Sequence, residues 1–179
     1  MMLRFVMTLA ASILLASPAL AQPRTSVALA PGDAAEFRVH QDGAVVVSEE
    51  RGRAEWTPFD VAAARHLSGL PIPDRAVPFG TIIGQDVLPP PPPIAPDAVR
   101  VKFLSIASRH SLLVIENGYD RAIVYRAHII RGNEARPTDV CIVIPRKHGF
   151  EHWPFVIDRL AISDMHFVDW RAGDPIPCS

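Results

Sequence analysis

Leu112-Leu113-Val114-Ile115-Glu116-Asn117-Gly118-Tyr119-Asp120-Arg121-Ala122-Ile123-Val124-Tyr125-Arg126-Ala127-His128-Ile129-Ile130 is the stretch whose reading decides the fold. Two runs rich in β-forming residues flank a polar turn. Asn117-Gly118 offers the positive-φ residues that a tight connection between paired strands needs. Ile123, Tyr125, Ala127 and Ile129 alternate with Val124, Arg126 and His128. A period of two predicts a strand with one buried and one partly wet face.

The same rhythm continues on both sides. Val99, Val101 and Phe103 alternate with Arg100 and Lys102, predicting another strand with a clear inside. Residues 131–139 read as a polar, turn-rich crossing. Val140-Cys141-Ile142-Val143-Ile144, stopped by Pro145, reads as a short buried strand. Residues 146–154 read as a loop. Ile157, Leu160 and Ile162, then Met165, Phe167 and Val168, predict one or two last strands with a break near Ser163-Asp164.

Upstream, Phe37 and Val39 can pair with Val45 and Val47 across an Asp42-Gly43 turn. Thr57-Pro58-Phe59-Asp60 is a helix start: a capping hydroxyl, a proline fit for the first helical position and an acid near the positive dipole end. A helix through Leu67 places Phe59, Ala63 and Leu67 on one stripe, and Gly69 can end it in a left-handed cap. Prolines then crowd toward Pro89–Pro93, a run that favours stiff polyproline II and offers no backbone donors.

The N-terminus has the order of an export signal: Arg4, an apolar run from Phe5 to Leu15, then Ala19-Leu20-Ala21 as a small-x-small cleavage site before Gln22. The run is shorter than the roughly 20 residues a membrane span needs. The organisation expected is a signal peptide over 1–21, a hairpin and short helix over 22–88, a proline-rich connector over 89–96 and an antiparallel β domain over 97–179. The expected localisation is the periplasm or the extracellular space. With 18 basic against 19 acidic residues there is no field to hold a polyanion, so nucleic acid is excluded as a partner. No polybasic membrane patch is present, and stable insertion after signal cleavage is not expected.

Cys141 and Cys178 are the two cysteines of the chain. In an oxidising compartment a disulfide is the default for such a pair. Closing a loop of this size stabilises by about 3–4 kcal/mol on the chain-entropy account. No Cys-x-x-Cys spacing supports a redox or metal pair.

Five or six short strands, turn signals every 8–12 residues or so, and no helix between them predict an antiparallel sandwich. The strand rhythm and the long-range cysteine pair over Asp97–Cys178 resemble immunoglobulin-like β-sandwich modules of small periplasmic proteins of Gram-negative bacteria. Trp153 and Trp170 lie between the cysteines, but in loop-like surroundings that depart from the antibody pattern. Such a resemblance implies a fold and assigns no function.

His148-Gly149-Phe150-Glu151-His152 matches the H-x-x-E-H spacing of inverted zinc peptidases. That chemistry needs a helix to align both imidazoles, and Pro145, Gly149 and Pro154 oppose one. A non-catalytic copper or zinc site from His148, His152 and His166, with His128 or Glu151 in reserve, is the next reading. The plainer one is a loop whose histidines are solvated or bonded to backbone. Phe150, Trp153, Phe155 and Trp170, with Phe167, are either a contact platform or the closure of the core.

No nucleophile elbow, phosphate-cradling glycine loop or dinucleotide fingerprint is present. The sequence thus predicts a non-enzymatic binding or structural module of the cell envelope, its partner another envelope protein or a small ligand. A periplasmic metal-binding protein ranks second and an unrecognised hydrolase third.

Overall fold

Every residue from Ser111 to Asn117 is buried, so the strand His110–Asn117 has neighbours on both of its faces. A computed structural model, which describes residues 26–39, 45–70 and 89–178, shows what those neighbours are. In chain order the elements are β1 (Ser26–Leu29), β2 (Asp33–Val39), β3 (Val45–Arg53), α1 (Pro58–Ser68), β4 (Val99–Ile106), β5 (His110–Asn117), β6 (Ala122–Arg131), β7 (Glu134–Thr138), β8 (His148–Trp153) and β9 (Arg159–Val168). They make two antiparallel sheets: sheet 1 in the order β1-β9-β6-β7, and sheet 2 in the order β3-β2-β4-β5-β8.

Period two sorts the side chains into layers. Val27, Ile123, Tyr125, Leu160 and Ile162 of sheet 1 share one core with Phe37, Val101, Phe103, Leu113 and Ile115 of sheet 2. Leu112 and Val114 point the other way, and with Leu104 and Ile106 they pack against Val61 and Ala64 of α1. The fold is mostly β with antiparallel sheets, as the alternation predicts, and α1 covers the outer face of sheet 2.

The Asn117-Gly118 corner departs from the expectation. β5 pairs with β4 and β8, whereas β6 pairs with β7 and β9. The corner is therefore an arch between sheets and not a turn within one. Gly118 is needed for space: a Cβ there would lie 1.8 Å from the carbonyl oxygen of Ala95. Asn117 is fully buried, and its amide donates to the carbonyls of Arg121 and Val143 while its oxygen accepts from Tyr119 N–H. The arch is thus tied by one side chain that satisfies carbonyls a sheet-to-sheet crossing would leave orphaned.

The N-terminal hairpin forms in the predicted register, Phe37 opposite Val47 and Val39 opposite Val45. Its Asp42-Gly43 turn lies outside the described residues, as do residues 1–25 with the expected signal segment, and 71–88. β2 also pairs with β4 from Asp33–Phe103 to Phe37–Val99, and β1 pairs with β9. Strands from both sides of the proline tract thus lie in the same sheets, where an appendage was expected.

The helix runs from Pro58 to Ser68 with Thr57 as N-cap, Asp60 closing a capping box and Gly69 at φ 64° as C-cap. Its buried face is Phe59, Asp60, Val61, Ala63 and Ala64, while Leu67 is exposed, so the stripe is turned from the one predicted.

Two further expectations are corrected, and a third takes one of the forms expected of it. Residues 131–139 hold a hairpin, β6 to β7, turned at Gly132 with φ 57°. Val140–Ile144 makes only isolated bridges, Ile123–Val143 and Cys141–Cys178. The break at Ser163-Asp164 is a bulge inside the single strand β9, with Asp164 at φ 52°.

Candidate functional site

The segment expected as the loop 146–154 contains β8, paired with β5 from Ser111–Trp153 to Glu116–His148. Strand geometry takes the H-x-x-E-H spacing apart. His148, Phe150 and His152 face outward with α1, while Gly149, Glu151 and Trp153 face the core. Gly149 is small for a reason, since a Cβ would press within 2.9 Å of the Ile115 side chain.

His148 enters a cluster of ionisable groups under α1. A register row crosses sheet 2 from Glu36 through Arg100 and Glu116 to His148. In the next row Lys102 donates to Asp60 Oδ2 at 2.5 Å, and its ammonium lies 3.9 Å from Glu116 Oε1. The same Oδ2 accepts from Thr57 N–H at 2.9 Å. His148 Nε2 is 3.9 Å from Glu116 Oε1 and, like Asp60 Oδ1, is buried without a hydrogen-bond partner.

Burial pushes the Glu116 carboxyl up, against the pull of Lys102 and Arg100. Burial pushes the His148 imidazole down, against the pull of Asp60. Asp60 is 0% exposed, His148 6% and Lys102 12% by side chain. The Lys102–Asp60 pair fastens the start of α1 to sheet 2, and Glu116 and His148 lie beside it.

On the inner face, Glu151 Oε1 accepts from Cys141 N–H at 2.9 Å, and its carboxylate faces the buried Tyr125 hydroxyl. Burial raises both groups, and the Glu151 charge adds to the rise at Tyr125.

The remaining predicted site residues are dispersed. Phe150 packs under the helix with its ring centroid 5.6 Å from that of Phe59. Trp153 belongs to the core and donates from Nε1 to Thr138 Oγ1 at 2.9 Å. Phe155 lies at the core margin under the Arg131 guanidinium. Trp170 donates to Pro175 O at 3.2 Å. The expected aromatic platform is therefore not assembled, because period two sends its members to different layers.

His166 sits on β9 in sheet 1, exposed, its Nδ1 2.8 Å from Asp164 O, so it does not meet His148 or His152. His128 is on β6. Among the described residues no three His, Cys, Asp or Glu side chains come together to hold a metal ion.

His152 instead meets His110, a residue the sequence reading passed over: Nδ1 of His110 lies 3.0 Å from Nε2 of His152. They are 42 residues apart and become diagonal neighbours only through the β5–β8 register.

Cys141 and Cys178 are bonded, with 1.99 Å between their sulfurs. Ile142 N–H donates to Pro177 O at 3.1 Å beside the link, so the exposed tail is held there and by the Trp170–Pro175 hydrogen bond. No helix of the described residues is long and apolar enough to cross a membrane.

Comparison with protein-family models, with curated proteins and with solved structures finds no match.

Proposed function

We propose that the protein is a non-enzymatic, exported binding or structural module of the cell envelope, built as an immunoglobulin-like sandwich. One observation carries the reading. The polar groups best suited to chemistry are buried inside the frame, while no described element covers the outer face of sheet 1. Lys102 and Asp60 fasten the helix with Glu116 and His148 packed beside them, Glu151 accepts from the Cys141 amide and Asn117 ties the arch. Sheet 2 is covered by α1. The outward face of sheet 1 carries a row across all four strands, Ala28, Ala161, His128 and Pro137, with Arg126 and Arg159 beside it.

A sheet face that mixes small, imidazole and guanidinium side chains on a rigid frame suits contact with another envelope protein. This face takes the place of the aromatic loop surface. Export is supported by the disulfide, which forms and persists in oxidising compartments. The signal segment at 1–21 and the strand crossings between two sheets support the same reading.

The test is Ala161→Arg with Ala28→Arg, which puts bulk and charge on the open face without touching the core. Loss of crosslinked partners and of complementation in a deletion strain, with an unchanged melting temperature, is the expected result. Intact partners and full complementation would rule the face out.

A further inference from the structure

The geometry points to a copper(II) site formed by His110 and His152, with the remaining coordination positions open to water. The two nitrogens are 3.0 Å apart and their ring centroids 5.0 Å apart. In the metal-free pair one ring donates a proton to the other. A metal ion replaces that shared proton with a bond to each nitrogen.

The distance selects among ions. With metal–nitrogen bonds of about 2.0–2.1 Å, a 3.0 Å separation subtends about 91–97° at the metal. That is the cis angle of a square-planar or tetragonal centre, the preference of copper(II) and nickel(II), and it is narrower than the tetrahedral angle zinc prefers. Copper(II) is also the strongest binder of the divalent series.

Each ring must turn by about 45° from the nitrogen–nitrogen line, which the broad terminal torsion of histidine permits. Both residues are half-buried, so the rings can turn and water can complete the sphere. The backbones need not move, because β5 and β8 are paired residue by residue beneath them. Burial first, and the neighbouring His110 second, lower the His152 pKa, which favours the neutral form that binds metal.

This inference does not depend on the open face of sheet 1. The test is calorimetric titration of the purified protein with copper(II), alongside electron paramagnetic resonance. One ion bound with a Kd near 10 µM and nitrogen couplings in the spectrum are expected, with at least tenfold weaker binding in His110→Asn and in His152→Gln and no change in His166→Ala. A second reading needs no variant: copper(II) should broaden amide resonances of residues 106–114 and 150–154 first. Affinity unchanged by both substitutions, broadening centred elsewhere, or no binding at millimolar copper would each overturn the site.

Discussion

Lys102 Nζ donates to Asp60 Oδ2 at 2.5 Å, joining the outer face of sheet 2 to the first turn of the helix. Asp60 is fully buried and also closes the capping box with Thr57. One carboxylate therefore serves both the local start of the helix and its long-range anchorage. Removing the cation leaves Asp60 and Glu116 as buried carboxyls with no ammonium between them. Lys102→Met should cost about 3–5 kcal/mol, the usual result of stripping one partner from a buried pair. Adding Asp60→Asn should return at least about 1 kcal/mol, since the stranded charge is gone. Urea unfolding checks both, and a loss below about 1 kcal/mol for Lys102→Met would show that the pair contributes little.

The same cluster gives a pH dependence whose two halves oppose each other. His148 is depressed below its ordinary 6.5, so the unfolded chain takes the proton more readily, and stability falls as pH drops below 6.5. Glu116 is raised above its ordinary 4.5, so its contribution is fully present below 4.5 and is lost as pH rises through the higher folded value. His148→Gln should flatten the acid-side loss between roughly pH 6.5 and 5. Glu116→Gln should gain on the parent protein as pH rises above 4.5. Unfolding midpoints measured across this range decide the matter, and curves parallel to that of the parent would refute both assignments.

The arch between the sheets depends on the absence of a side chain. A Cβ on Gly118 would sit 1.8 Å from Ala95 O and 2.7 Å from Ala98 O, and the second of these carbonyls accepts the Gly118 N–H at 2.8 Å. Both obstacles are backbone, so neither can rotate away. Gly118→Ala should destabilise by about 3 kcal/mol or more. Amide exchange should show early opening around residues 95–98 and 117–119. A variant as stable as the parent would mean that the two segments are not held this close.

Local chemistry carried the sequence reading where local chemistry decides the outcome. The Asp-Gly hairpin register and both helix ends follow from neighbouring residues, and they stand where the pattern puts them. The choice of sheet does not follow from neighbours. Asn117-Gly118 suits a hairpin or an arch equally, and the groups that tie the arch, Ala98 O upstream and Val143 O downstream, lie far off in the sequence. β7 was illegible because Glu134–Pro137 is exposed on both faces and leaves no alternation to read. β8 was hidden by Gly149, which reads as a breaker but serves the packing against Ile115. In the sequence Asp60 is a dipole partner and Lys102 a polar alternate. Their meeting, like that of His110 with His152, comes from register across strands.

The last prediction concerns the tail. Residues 171–178 are exposed, yet Cys178 is bonded to Cys141 across 37 residues. That loop contains β8 and β9, so the bond restricts in the unfolded chain the two strands that complete sheets 2 and 1. Replacing both cysteines by alanine should therefore cost about 3 kcal/mol, through the unfolded state more than through lost contacts. The folded variant should keep its far-ultraviolet spectrum, because the tail itself buries little. Intact-mass analysis of the parent after alkylation without reductant should show no added groups, and two after reduction. Two groups added before reduction would mean free thiols, and the tail would then be held by the Ile142–Pro177 and Trp170–Pro175 hydrogen bonds alone among those described.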